Sequence, residues 1–156
     1  MTKLALNIVD NLATKYRLDC GLSLSEAIDT KKILMKYNIL TLFRPLSENF
    51  AGLCIKSSDS VRFILVNSNS TIGRQHFTIA HEFYHLFIEE KPISHICHTS
   101  ISKDYNEQNA DMFASVLLMP QKGILQMISS EDIINKNVPF DKVIRMLSYI
   151  FQRENY

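Results

Sequence analysis

At 156 residues, with 46% hydrophobic and 21% charged residues, the chain has the size and composition of one globular domain that can bury a core without disulfides or a structural metal. A net charge of +1 provides no global field toward nucleic acid or an anionic membrane, so direct binding to either is not expected. Cys20, Cys54 and Cys97 form an odd set without CxxC spacing, Asn7 and Asp10 interrupt the N-terminus before a signal-peptide core can form, and no stretch approaches the roughly 18 apolar residues of a membrane helix, which together predict a soluble, cytoplasmic protein.

Residues 3–17 place Leu4, Ile8, Leu12 and Tyr16 on one helical face. A second helix is expected to open with the capping box Ser23-x-x-Glu26 and to repeat Ala27, Ile28, Lys31, Leu34 and Met35. Both read as amphipathic core helices. The period then changes. Ile39–Phe43, Phe50–Ile55 and Val61–Val66 are short, rich in β-branched and aromatic residues, and separated by turn chemistry at Arg44-Pro45 and Ser57–Ser60, which predicts an antiparallel meander. Asn67–Gly73 reads as a polar turn. Beyond it the pattern is helical to the end, with breaks at Lys91–Ser102, near Pro120 and before Pro139, and a closing helix carries Val143, Ile144, Leu147, Ile150 and Phe151. A small three-stranded antiparallel sheet packed with about five to six helices makes an α+β fold, one domain over residues 1–156.

The chemistry is concentrated in Arg74–Glu90. Phe77, His81, His85 and Ile88 recur at i, i+4, i+8 and i+11, so His81 and His85 lie one turn apart on one side of a helix and can bind one ion through two imidazoles. Glu82 is turned by about 100° from His81, which puts its carboxylate beside a metal rather than on it. That is the arrangement metal-assisted hydrolysis needs: the ion acidifies a water, and Glu82 takes the proton as catalytic base. Phe77, Ile79, Ala80, Phe83, Leu86 and Phe87 make the helix largely apolar, and two histidines in such a setting require partners.

A catalytic zinc wants a third protein ligand. Ile88 and Lys91 occupy the places where a metzincin would have Gly and His, so the three-histidine arrangement fails. Glu107, 22 residues beyond His85, heads a segment Tyr105–Leu118 whose Ala110, Phe113, Ala114, Leu117 and Leu118 predict a packed helix. Asp111 shares its face at i+4 and could accept a hydrogen bond from a ligand histidine, fixing its tautomer. The expected cofactor is one Zn2+ ion; Mn2+ and Fe2+ suit the same two-histidine, one-carboxylate set. A deformylase would need a cysteine ligand in a Gly-Cys context, which Gly52-Leu53-Cys54 does not supply.

At these residues the chain resembles the ImmA/IrrE-type metallopeptidases of bacteria and their mobile elements. The resemblance is carried by Arg74–His85, by Glu107-Gln108-Asn109-Ala110-Asp111-Met112-Phe113-Ala114 and by Leu117-Leu118-Met119-Pro120; it is loose over about residues 30–155 and specific over about 60–120. It implies a zincin-like fold, His81, His85 and Glu107 as ligands, Glu82 as base, and cleavage of a partner repressor of the helix-turn-helix kind that releases stress-response or mobile-element genes. Relatives often carry small residues where Phe83 and Tyr84 stand, and Asn where Asp111 stands, although Asp matches thermolysin-like enzymes. They commonly continue through another helical segment, so the chain reads as a short or truncated form.

His98, in the loop sequence His95-Ile96-Cys97-His98, together with Tyr84 and Tyr105, are alternative donors to an oxyanion. Cys20 and Cys54 read as small core residues. The substrate is expected to lie along an exposed strand edge of the meander. Bulky Phe83 and Tyr84, with the missing C-terminal segment, also admit a second reading, a zincin-fold binding module that sequesters or remodels a DNA-binding regulator without cutting it.

Overall fold

A computed structural model describes residues 2–57, 61–89, 94–98 and 104–143, and within 94–98 the side chains of Ile96 and Cys97. The elements run α1 (Leu6–Asp19), α2 (Thr30–Lys36), β1 (Ile39–Arg44), β2 (Phe50–Lys56), β3 (Arg62–Asn67), α3 (Ile72–Phe87), β4 (Ser94–His98), α4 (Tyr105–Leu118), α5 (Gln121–Met127) and α6 (Ser130–Ile134). The fold is α+β, as the sequence predicts. The closing helix expected around Val143–Phe151 lies outside the described residues from 144 onward. Among the described residues no helix is long and apolar enough to cross a membrane.

The sheet differs from the expected meander in two ways. It has four strands in the order β1-β3-β2-β4, and β1 runs parallel to β3, while β2 is antiparallel to both β3 and β4. Only β2 and β3 form the anticipated hairpin, closed by Ser57 N–H donating to Val61 O at 3.0 Å. Residues 45–49 instead carry the chain from β1 over the end of β3. The buried Asn67 side chain holds that crossing: Nδ2 donates to Ser47 O (3.0 Å) and Phe50 O (2.8 Å), and Oδ1 accepts from Leu46 N (3.0 Å) and Asn69 N (3.0 Å). β4, expected as loop, forms the last strand beside β2, with a register shift between Phe50 and Gly52 that marks a bulge at Ala51.

One sheet face is covered by α3, which packs mainly on β2 and β3. Ile39, Cys54, Ile64, Val66 and Cys97 point into this layer and are buried. Leu40, Leu42, Ile55 and Ile96 alternate to the opposite face and are exposed. Behind α3, α4 and then α1 complete the core with Phe113, Ala114, Leu117, Val9 and Ala13.

Two helix expectations are corrected. The buried face of α1 is Val9, Ala13 and Arg17, with Leu4, Leu12 and Tyr16 on its margin, whereas Ile8 is exposed. The second helix starts at Thr30, capped by Asp29, whose side chain accepts from Lys32 N. Ser23 and Glu26 do interact (Ser23 N–H donates to Glu26 Oε2 at 2.6 Å), but they close a turn ahead of the helix. The fully buried Arg17 takes the carbonyls of that turn: Nη2 donates to Ser23 O and Glu26 O, and Nη1 to Leu117 O at the end of α4 (2.7 Å). A guanidinium spent on carbonyls prevents this turn from continuing as helix.

Candidate metal centre

α3 is buried on every side from His76 to Leu86, apart from Phe77, because it lies between the sheet and α4. Its i, i+4 spacing brings the two imidazoles together: His81 Nε2 and His85 Nε2 are 3.2 Å apart. α4 begins at Asp104, whose side chain accepts from Asn106 N, and its first turn delivers Glu107 to the same point. Glu107 Oε2 lies 3.4 Å from His81 Nε2, and Glu107 Oε1 lies 3.4 Å from His85 Nε2. Ala110 and Ala114, small and fully buried, belong to the core in which α4 packs closely on α3.

These three residues could hold one metal ion; they are the cluster of candidate ligands among the described residues, with ligand atoms all within 4.8 Å of one another. Their size fits. Tetrahedral zinc at about 2.0–2.1 Å from each donor separates its donors by about 3.3–3.4 Å. The donor chemistry fits as well, because each histidine gives its Nδ1 to a carboxylate and turns Nε2 inward. His81 Nδ1 donates to Asp111 Oδ1 at 2.9 Å, the partner expected from the sequence. His85 Nδ1 donates to Glu89 Oε2 at 2.7 Å, which the sequence reading missed, although Glu89 is i+4 from His85 and so on the same face. Glu89 Oε1 in turn accepts from Asn106 Nδ2 at 3.1 Å.

Burial of the His81 ring lowers its pKa, but hydrogen bonds with Asp111, Cys97 and Glu107 outweigh that effect and push it up to about 12. Without a metal, a proton is therefore held where the ion would bind. Cys97 reaches His81 from β4: its Cα pairs with Gly52, and a Cβ at Gly52 would point toward Thr78 and Glu82 on α3. Paired residues share a face, so Cys97 lies on the α3 side of the sheet.

Glu82 is fully buried, next to His81 in the chain and rotated toward β2, where Glu82 Oε1 lies 3.8 Å from the Cβ position at Gly52. Phe83 and Tyr84 are both core residues, although the Tyr84 ring also meets the His85 imidazole edge-on at 5.7 Å. Phe83, 1% exposed, stacks on Phe87 at 4.4 Å and meets Tyr16 (4.9 Å) and Tyr37 (5.1 Å) edge-on. Tyr84, with no exposed surface, packs against Phe113 in the core, and burial raises its pKa. Of the suggested oxyanion donors, Tyr84 is enclosed and Tyr105 is half-exposed at the head of α4; the His98 side chain lies outside the described residues.

Residues 34–139 match a family model named Peptidase_M78 and described as the IrrE N-terminal-like domain, a span that contains the whole sheet, α3 and α4. No curated protein matches the chain.

Proposed function

Because the chain belongs to the Peptidase_M78 family of IrrE N-terminal-like metallopeptidase domains, we propose that it is a zinc-dependent endopeptidase of the cytoplasm. Its substrate is one partner protein, a helix-turn-helix transcriptional repressor, whose cleavage releases stress-response or mobile-element genes. The observation that carries the reading is the convergence of His81, His85 and Glu107 on one point, with the buried Glu82 next to His81 in the chain.

His81, His85 and Glu107 would hold the ion. A bound zinc supplies Lewis-acid polarisation of the scissile carbonyl and acidifies a water toward a pKa of about 7. Glu82 accepts the proton of the attacking water and passes it to the leaving amine. Its burial keeps bulk water from competing for that proton. Asp111, taking the Nδ1 proton of His81, keeps Nε2 available as a donor to metal. The substrate backbone runs along β4, the last strand of the sheet on the site's side, and is held by main-chain hydrogen bonds. Tyr105, half-exposed in the first turn of α4, is the candidate donor to the oxyanion.

The non-cleaving alternative drew on the bulk of Phe83 and Tyr84 and on the short C-terminus; both side chains are buried in the core, which leaves the second ground alone. Incubation of zinc-loaded wild type with the repressor encoded beside its gene tests the proposal. The expected result is discrete fragments by mass spectrometry, lost by about 10²–10⁴-fold in Glu82→Gln although that variant keeps its zinc. A repressor left intact by zinc-loaded wild type counts against it.

A further inference from the structure

Glu89 stands in a place where a carboxylate is unfavourable. It lies two residues beyond the end of α3, at the negative pole of the helix, and its side chain is only 12% exposed. Three anchors keep it there. Its N–H donates to Tyr84 O at 3.2 Å, its carbonyl accepts from Lys56 Nζ at 3.3 Å, and Oε1 accepts from Asn106 Nδ2 at 3.1 Å. Oε2 is left to receive the Nδ1 proton of His85 at 2.7 Å. A buried charge is costly unless paired, and here both oxygens are bound, one on each of the helices that bring ligands to the centre. Asp111, the corresponding partner of His81, is 50% exposed. Water screens its interaction, whereas the pair between His85 and Glu89 is shielded from solvent.

Resting on the metallopeptidase reading, we propose that Glu89, fixed by Asn106, is the dominant positioning residue of the metal centre, ahead of Asp111. It locks the His85 ring with Nε2 inward, makes that nitrogen a better donor, and joins the end of α3 to the start of α4 one residue before Glu107. Residues in this role typically govern metal affinity by about 10–100-fold.

The test is zinc affinity by competition with a chromophoric chelator, on the full chain stripped and reloaded, for wild type, Glu89→Gln, Glu89→Ala, Asn106→Ala and Asp111→Asn. Circular dichroism of the stripped proteins identifies those that fold, and the visible spectrum of the cobalt-loaded proteins reports ligand geometry. The expected result is a loss of about 10–100-fold in Glu89→Ala, a smaller one in Glu89→Gln, which keeps an acceptor, and the smallest in Asp111→Asn. Asn106→Ala weakens zinc in the same direction and adds little on top of Glu89→Ala. If Glu89→Ala does not fold, Glu89→Gln and Asn106→Ala carry the comparison. Folded Glu89 variants within twofold of a zinc-binding wild type, or an Asp111→Asn loss equal to theirs, overturn the role of Glu89 alone. A wild type that takes up no zinc overturns the metallopeptidase reading and this role with it.

Discussion

His81 and His85 face each other through Nε2 atoms 3.2 Å apart, while the Nδ1 of each rests on a carboxylate. An ionised carboxylate only accepts, so both Nδ1 positions carry protons and both Nε2 atoms are left to share a cation with Glu107. That cation is a metal or a proton. The competition between the two sets the first two predictions.

Zinc stabilises the native chain by mass action. At about 100 times its Kd the gain is about 2.7 kcal/mol, which for a chain of this size raises the melting midpoint by about 5–11 °C. His81→Ala removes a ligand and should abolish the shift. Thermal melts of chelator-stripped protein, with and without added zinc, measure it, and an equal shift in the variant would contradict the site.

The pH dependence has a definite sign. In the stripped protein the pKa of His81 is pushed up to about 12, far above its ordinary value of about 6.5. The folded state then holds the proton more tightly than the unfolded chain does. The stabilising contribution is complete below about pH 6.5 and is lost as pH rises toward 12. Stripped protein should melt at progressively lower temperature from pH 7 to pH 10, and the midpoint gained from zinc should grow over the same interval because releasing the displaced proton becomes less costly as pH rises. Melts at pH 6, 8 and 10, compared with His81→Gln to remove the other titrating groups, isolate the effect.

Phe83 is a core residue inside the motif. Its ring stacks on Phe87 and lies 6.3 Å from that of Phe113 with the planes nearly parallel, so truncation leaves a cavity between α1, α3 and α4. Phe83→Ala should cost about 3–5 kcal/mol in denaturant unfolding. Its folded fraction should still bind zinc one to one, since none of the ligand side chains is altered. Lost metal binding at wild-type stability would place Phe83 at the cleft instead.

What the sequence disclosed follows the range of the interactions involved. α3 and α4 were legible because each is long, apolar and periodic, and Glu107 and Asp111 because their i, i+4 spacing makes them neighbours within one helix. Glu89 was open to the same rule, since it lies i+4 from His85, but the sequence reading sought the partners of the ligands on α4 alone. β4 was not legible: Ser94–His98 has no apolar alternation and becomes a strand only by pairing with β2, some 40 residues earlier in the chain. The parallel pairing of β1 with β3 depends on Asn67 bonding across a loop 20 residues away, which no local pattern encodes. Phe83 and Tyr84 proved to be core residues, a distinction the pentapeptide cannot make because its residues face all sides of one helix.

Gly52 sets the distance between β2 and the helix that carries Glu82. A Cβ there would lie 2.6 Å from Thr78 Cγ2 and 2.7 Å from Leu65 O, both well inside contact distance. The Leu65 oxygen belongs to β3, the strand paired with β2, and cannot retreat without straining that ladder, so β2 itself has to shift away from it and the Thr78 contact has to be relieved by movement of α3. Thr78 and Glu82 are one turn apart, and a shift that frees the Thr78 methyl carries the Glu82 carboxylate with it. Gly52→Ala should therefore lose about 1–3 kcal/mol of stability to overpacking. Because a misplaced base acts on the reaction and not on the ligands, it should also lose at least about tenfold in cleavage rate while zinc affinity stays close to wild type. Denaturant melts, repressor cleavage and chelator competition on the same preparation separate the three effects. Full cleavage activity in a stable Gly52→Ala protein would show that the spacing of β2 and α3 does not set the position of Glu82.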